Sequence, residues 1–434
     1  MATRTNPDAA DAGVPPEVIE FIVNLDKTVR EYGDIADYVY KNHSETGRTC
    51  GFGVDISVKP VVFRHWPWDD AKEISELKLN PKTRLLYKFL CCKHAFQDRS
   101  VERNPTAAAR AWAVFSDMSS MLLATDSGDL PNSLIWEVFD ELMFQLSIVY
   151  QKRMLKKKDV REVWSISNVT KKLKAIVESS GILKVLENVK AGTVAPEAIL
   201  CQSVTEIQHP ELAPRHQALA AGLFSIITLF RLDVLLADYS SALARVEVLS
   251  VPVHGRAYFS GVASENATPA HVSLFYNIGF CYLMLRRYVD AANSFRTCLA
   301  VKTGRGFAER IQIDSASLYS IATILGGFQG EDIGNFLYER HRGNFDDEFR
   351  QLSSGQHEKF REVFSRSSPK FISIPAAGAF AEGVASESKD LQTHMFMREV
   401  MQQLHSVALR GYFQVAGEEL DGTAALLSIS SFTR

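Results

Sequence analysis

Leu274–Ala300, LFYNIGFCYLMLRRYVDAANSFRTCLA, decides the architecture of this 434-residue chain. It reads as two helices folded into a hairpin. Gly279 and Ala291 are the small residues at the crossing, and Phe275, Tyr282 and Phe295 are the large ones around it. Such a hairpin cannot bury both faces by itself, so it implies helical neighbours stacked on either side.

An aromatic, a glycine, a tyrosine, an alanine and a phenylalanine in this order follow the helix-turn-helix tetratricopeptide pattern. Ile278 and Cys298 fall on further positions of the same pattern. Working outward, aligning Tyr239 with Tyr288 also aligns Ala242 with Ala291, a recurrence of 49 residues. A strict tetratricopeptide period is about 34 residues, and the loop around Pro252–Pro269 accommodates the surplus. The earlier copy has Phe230 where the later one has Gly279, which predicts a looser crossing. A third hairpin is expected from Ile311 to Leu325 and from Asp332 to Arg340, followed by an acidic segment at Asp346, Asp347 and Glu348 and a helix over His357–Phe364. The fold class is all-α: a degenerate tetratricopeptide-like solenoid with very little strand.

The expected organisation is a disordered tail over 1–16, an N-terminal helix and irregular segment over 17–80, and a helical array over 81–214. Helical repeats over 215–375 follow, then a linker over 376–388 and a C-terminal helical segment over 389–434. In the array, Leu85, Leu86, Phe89, Leu90, Cys92 and Phe96 form one apolar side, and Trp112, Phe115, Met118 and Leu122 the next. The helix after Pro131 is apolar on two sides (Leu134, Val138, Leu142 and Leu146; Trp136, Phe139 and Met143), as expected of a helix packed between others. Val169, Leu173, Ile176 and Val177 mark a helix stopped near Gly181.

Net charge is −3, with 46% apolar and 23% charged residues, an ordinary globular balance with no global basic field. The six cysteines form no C-x-x-C pair and suit packing roles in a reducing compartment. The N-terminus, MATRTNPDAADAGVPP, lacks the features of a signal or transit peptide. The longest near-apolar run, Leu219–Phe230, is too short to span a bilayer. These features predict a cytoplasmic protein with no membrane segment.

Motifs that would carry chemistry are weak. Cys91, Cys92 and His94 lie close together, but adjacent helical residues diverge and no second ligand pair follows, so they read as core groups. GRTCGFG (47–53) has no following Lys-Ser/Thr pair, and neither it nor KTGRG (302–306) is a phosphate loop. No catalytic set and no cofactor site is expected. The strongest charge signal is the run Gln151–Arg161, with Lys152, Arg153, Lys156, Lys157, Lys158 and Arg161. It reads either as a solvated helix end or as a contact for RNA phosphate or an acidic partner. No aromatic residue is interleaved to stack on bases. From residues alone the chain is an interaction scaffold. The alternative is a peptide-binding adaptor or co-chaperone, in which Asn277 would help clamp a carboxylate.

Six segments in order carry a resemblance to a known family: LYKFLCCKHAF (86–96), LPNSLIWEVFDELMFQLSIV (130–149), WSISNVTKKLKAIVESSGI (164–182), LFRLDVLLADYSSALARVEVL (229–249), YNIGFCYLMLRRYVDAANSF (276–295) and FREVFSRSSPKFIS (360–373). Together they resemble the subunit L family of eukaryotic translation initiation factor 3. The resemblance implies a PCI-type protein, a helical-repeat solenoid followed by a winged-helix module. It also implies a non-catalytic scaffold that supports preinitiation complex assembly on the small ribosomal subunit, with subunits E and K as neighbours. After the helix ending near Phe413 about twenty residues remain, so the winged-helix segment is expected to be incomplete.

Overall fold

The computed structural model describes residues 14–30, 72–97, 101, 105–124, 130–151, 158–200, 212, 215–251, 255–259, 268–301, 307–327, 336–372 and 393–404. Among them the regular structure is helical and contains no strand. The chain divides into two compact units, one formed by residues 1–229 and 248–267 and the other by 230–247 and 268–434. Of the expected disordered tail, residues 1–13 lie outside the described residues, whereas Val14 is buried and Pro16 already opens a helix. The stretch over 42–70, the linker over 376–388 and residues 405–434 of the expected C-terminal segment also lie outside them.

The first unit holds α1 (Pro16–Arg30), α2 (Lys72–Glu76), α3 (Pro81–Gln97), α4 (Pro105–Leu123), α5 (Asn132–Gln151), α6 (Lys158–Val163), α7 (Ile166–Ser180) and α8 (Ile182–Lys190). Helix α1 buries Val18, Phe21, Ile22, Leu25 and Val29, the stripe its spacing dictates. Asp26 on the same helix accepts hydrogen bonds from Arg30 Nε (2.5 Å), the Asn80 amide (2.7 Å) and Thr83 Oγ1 (2.8 Å), which tie α1 to the start of α3. Burial pushes the Asp26 carboxyl up, but these hydrogen bonds hold it below its ordinary value. Trp164, at the end of α6, is fully buried. Its indole N–H donates to Ala108 O at 2.8 Å, and its ring lies 5.6 Å from that of Trp112 and 6.4 Å from that of Phe96. It therefore locks α6 onto α3 and α4. Leu134, Trp136, Val138, Phe139, Leu142, Met143 and Leu146 of α5 are all buried, so both apolar sides are covered, as their breadth requires.

Helix α7 starts on a Ser165 cap, whose hydroxyl accepts from the Asn168 amide, and stops at Gly181 with φ 71°. The chain turns at once into α8, which buries Ile182, Val185, Leu186 and Val189. This helix was not anticipated from the sequence. The turn is held by Arg215, whose guanidinium donates to Ser180 O at 2.8 Å, and by Gly222, where an added Cβ would lie 2.2 Å from Ser180 Oγ and 2.8 Å from Ile182 Cγ2. A short 3₁₀ turn spans Pro196–Ile199.

Gly222 lies on α9 (His216–Leu235), a 20-residue helix whose last residues belong to the second unit. The apolar run Leu219–Phe230 lies inside this helix. By length and composition α9 could cross a membrane (mean hydropathy 1.8), but 83% of that window is buried within the protein, the condition of a core helix.

The second unit continues with α10 (Tyr239–Val246), α11 (Thr268–Met284), α12 (Tyr288–Leu299), α13 (Phe307–Gly326), α14 (Phe336–Ser353), α15 (His357–Ser367) and α16 (393–404). The third hairpin differs from expectation: α14 runs on to Ser353, so Asp346, Asp347 and Glu348 sit inside a helix. There Asp347 pairs with Arg350 at 3.2 Å and Glu348 with Arg366 at 2.6 Å. Ion pairs of this kind let an acidic cluster remain helical.

Candidate interaction surface

The hairpin of α11 and α12 closes on one contact. A Cβ added to Gly279 would lie 2.7 Å from Cδ1 and Cε1 of Phe295, so the phenyl ring occupies the space a side chain at 279 would take. Ala291 and Phe295 are fully buried and Phe275 nearly so. Tyr282, expected in the core, is only half-buried. Its ring faces outward enough to meet the Arg287 guanidinium, 4.5 Å from the centroid.

The next helix packs on this pair through polar contacts to backbone. Gln312 Nε2 on α13 donates to Cys298 O (2.9 Å) and Val301 O (2.7 Å), capping the carbonyl end of α12. Cys298 Sγ lies 3.2 Å from Ser315 Oγ. Burial raises the Cys298 thiol to about 12, against the hydrogen bond to Ser315, which keeps it an inert core thiol at neutral pH. Cys91, Cys92 and Cys281 are likewise buried and form no disulfide, and His94 is buried as well. Among the described residues no group of three or more His, Cys, Asp or Glu is placed to hold a metal ion.

Phe280, which sequence reasoning passed over, is the aromatic hub of the second unit. Its ring lies 5.9 Å from each of Tyr239, Phe364 and Phe371. Phe364 in turn stacks on Phe396 of α16 at 3.8 Å, and Arg286 pairs with Glu399 at 2.5 Å, so α16 docks at the α11–α12 turn. The apolar side chains left exposed in the second unit include Val289, Met395 and Met401, each more than half exposed. A hub residue has no sequence marker of its own, because one aromatic among many in an apolar helix looks like any other.

Two buried charge clusters were also missed. On α5, Glu137 pairs with Lys93 of α3, and Glu141 accepts a hydrogen bond from Gln145 at 3.0 Å. Burial pushes both carboxyls up, against the pull of Lys93 on Glu141. In the second unit, burial pushes the Asp314 carboxyl up to about 6, against Arg310, Ser367 and Arg366. Arg366 also reaches Ser317 Oγ at 3.0 Å. The signal available was the i, i+4 pairing of Glu137 with Glu141 inside an otherwise apolar helix.

Of the basic run, Lys152, Arg153, Lys156 and Lys157 lie outside the described residues. Lys158 opens α6, and Arg161 on that helix is exposed.

A family model described as RNA polymerase I-associated factor PAF67 matches residues 108–416. The chain belongs to this family. Its similar curated relatives carry the name eukaryotic translation initiation factor 3 subunit L. The Danio rerio protein is 25% identical over 379 residues, covering 81% of this chain and 62% of its own length. The Nematostella vectensis protein is 28% identical over 381 residues, covering 81% and 68%, and the human protein 25% identical over 379 residues, covering 81% and 64%. The chain thus spans roughly two thirds of the length of these relatives. The family match runs from within α4 past the described part of α16.

Proposed function

We propose that the chain is a non-catalytic scaffold component of a translation initiation factor 3 assembly, acting in the cytoplasm in preinitiation complex formation on the small ribosomal subunit. The observation that carries this reading is the unbroken family match over 108–416, which takes in both compact units, together with relatives that all bear the subunit L name. The geometry supports it. In the second unit, hairpins held by apolar and aromatic contacts leave apolar side chains exposed at the α11–α12 turn and on α16, the kind of surface a scaffold uses to hold neighbours. Initiation factor 3 subunits E and K are the proposed neighbours.

The adaptor alternative is disfavoured by Asn277. Its side chain is buried, and its amide donates to Ser273 O at 2.7 Å within its own helix, so it does not face a peptide carboxylate.

Affinity purification of the tagged full chain from cells, followed by mass spectrometry, tests the proposal. Initiation-factor subunits, E and K among them, and small-subunit ribosomal proteins are expected. Recovery of chaperones without any initiation-factor subunit would overturn the scaffold reading.

A further inference from the structure

Helices α7 and α8 carry a charge imbalance that their packing does not use. Ile166–Lys190 holds Lys171, Lys172, Lys174, Lys184 and Lys190 against only Glu178 and Glu187, in a chain whose net charge is −3. Lys171, Lys174, Lys184 and Lys190 are exposed and Lys172 is half-buried. None of the five has a carboxylate partner among the described residues. Lys174 and Glu178 stand four apart in the less favourable order, lysine first, and form no ion pair. Some cations elsewhere are paired, such as Arg245 with Asp233, Arg287 with Asp290, Lys359 with Glu362 and Arg366 with Glu348, but α7 and α8 gather five lysines within 25 residues.

The lysines also stand on a fixed frame. Helix α7 is capped at both ends, the turn at Gly181 is pinned by Arg215 and Gly222, and the apolar faces of both helices are buried. Five lysines against two glutamates on these two helices leave a locally positive field, which a polyanion neutralises. We propose that α7 and α8 form a binding surface for the phosphate backbone of double-stranded RNA. The segment contains no aromatic residue and no arginine. Without aromatics it offers no platform for stacking unpaired bases. With lysines alone it presents mobile point charges instead of the planar forks that favour bidentate carboxylate recognition. A duplex, with its dense and sequence-independent row of phosphates, matches that field. Binding is non-specific in sequence and strongly dependent on salt. This inference goes beyond the assembly reading and does not depend on it: capture of initiation-factor subunits and binding of free RNA can fail separately.

The test titrates the full chain with a fluorescent RNA duplex of about 20 base pairs across about 50–200 mM salt. Replacing Lys171, Lys172 and Lys174 together by Gln is expected to weaken binding on the order of tenfold and to reduce the salt slope by about 0.7–0.9 for each lysine that meets a phosphate. The Lys184→Gln, Lys190→Gln pair should act in the same direction. Arginine at 171, 172 and 174 should retain binding. Lys27→Gln with Lys370→Gln, two exposed lysines elsewhere, should leave both quantities unchanged. The proposal is overturned if the parent chain binds no duplex, if the α7 variant behaves like the control, or if polyglutamate displaces the duplex at equal charge concentration, which would mark an acidic protein as the partner. Unchanged melting of the glutamine variants separates loss of binding from loss of fold.

Discussion

The two hairpin turns at Ala237 and Arg286 are copies at 49-residue spacing, yet the helices they join are held together by different means. The copies agree bond for bond. Ala237 and Arg286 both adopt left-handed backbone, φ 62° and 63°. The Ala237 amide donates to Val234 O and that of Arg286 to Leu283 O. Asp238 donates to Asp233 O, and Arg287 to Tyr282 O. Each second helix then starts at the equivalent tyrosine, Tyr239 or Tyr288, and buries the equivalent alanine, Ala242 or Ala291. The closures do not agree. The later hairpin seats Phe295 in the space left by Gly279. The earlier one has the fully buried Phe230 at that position and joins its helices by an ion pair, Arg245 Nε to Asp233 Oδ2 at 2.5 Å. Backbone geometry is therefore what the repeat preserves, and each copy closes it with different side chains.

The largest effects come from treating the two crossings as if they were the same. Phe230→Ala removes a fully buried aromatic from the earlier hairpin and should cost about 3–5 kcal/mol, because position 230 is core and not an occluded crossing. Gly279→Ala adds one carbon to the later hairpin and should cost about 1–3 kcal/mol by overpacking. Opposite changes in volume at equivalent positions are thus both destabilising. Phe295→Leu should relieve part of the Gly279→Ala cost in a double-mutant cycle read by denaturant melts. If the two costs simply add, the ring at 295 is not what excludes a side chain at 279.

The ion pair is the next test. Asp233→Asn should destabilise by about 1–2 kcal/mol, and the loss should shrink as salt rises, since the pair is only partly buried. No substitution at Tyr282, the residue equivalent to Asp233, should show that salt dependence. An effect of Asp233→Asn that is unchanged by salt would mean that packing, and not charge, closes the earlier hairpin.

These distinctions explain what the sequence could reveal. Tyr239, Ala242, Tyr288 and Ala291 announced the recurrence because a helix start and a close helix contact restrict residue type strongly. The all-α class followed from apolar spacing. Helix α8 was missed because Gly181 reads as a stop, and nothing local says that the chain turns straight back into a helix. Gly222 was missed because the atoms that crowd it, on Ser180 and Ile182, lie far away in sequence. The continuation of α14 through Asp346–Glu348 depends on Arg366, a partner on the next helix. The unpaired state of the α7–α8 lysines was equally invisible, since a lysine-rich helix looks the same whether or not carboxylates from elsewhere fold against it.

The caps offer a smaller contrast. Asp238 Oδ1 accepts from the Ser241 amide and caps α10, whereas Arg287 gives α12 no side-chain cap. Asp238→Ala should cost about 1 kcal/mol and Arg287→Ala much less, apart from its contact with Tyr282. Equal losses would show that the caps contribute little in either copy.

The smallest expected effect tests the shared element directly. Neither Ala237 nor Arg286 is a glycine, although left-handed backbone disfavours every side chain at these sites. Ala237→Gly should therefore relieve strain in the folded state, offset in part by the greater freedom it gives the unfolded chain, for a net gain of a few tenths of a kcal/mol to about 1 kcal/mol. Arg286→Gly relieves the same strain but also deletes the pair with Glu399, so its gain should be smaller, and the difference should narrow at high salt. Two equal gains at low salt would mean that the Arg286–Glu399 pair adds nothing to the docking of α16. A loss at both positions would mean that the left-handed turn is not the strained feature the two copies share.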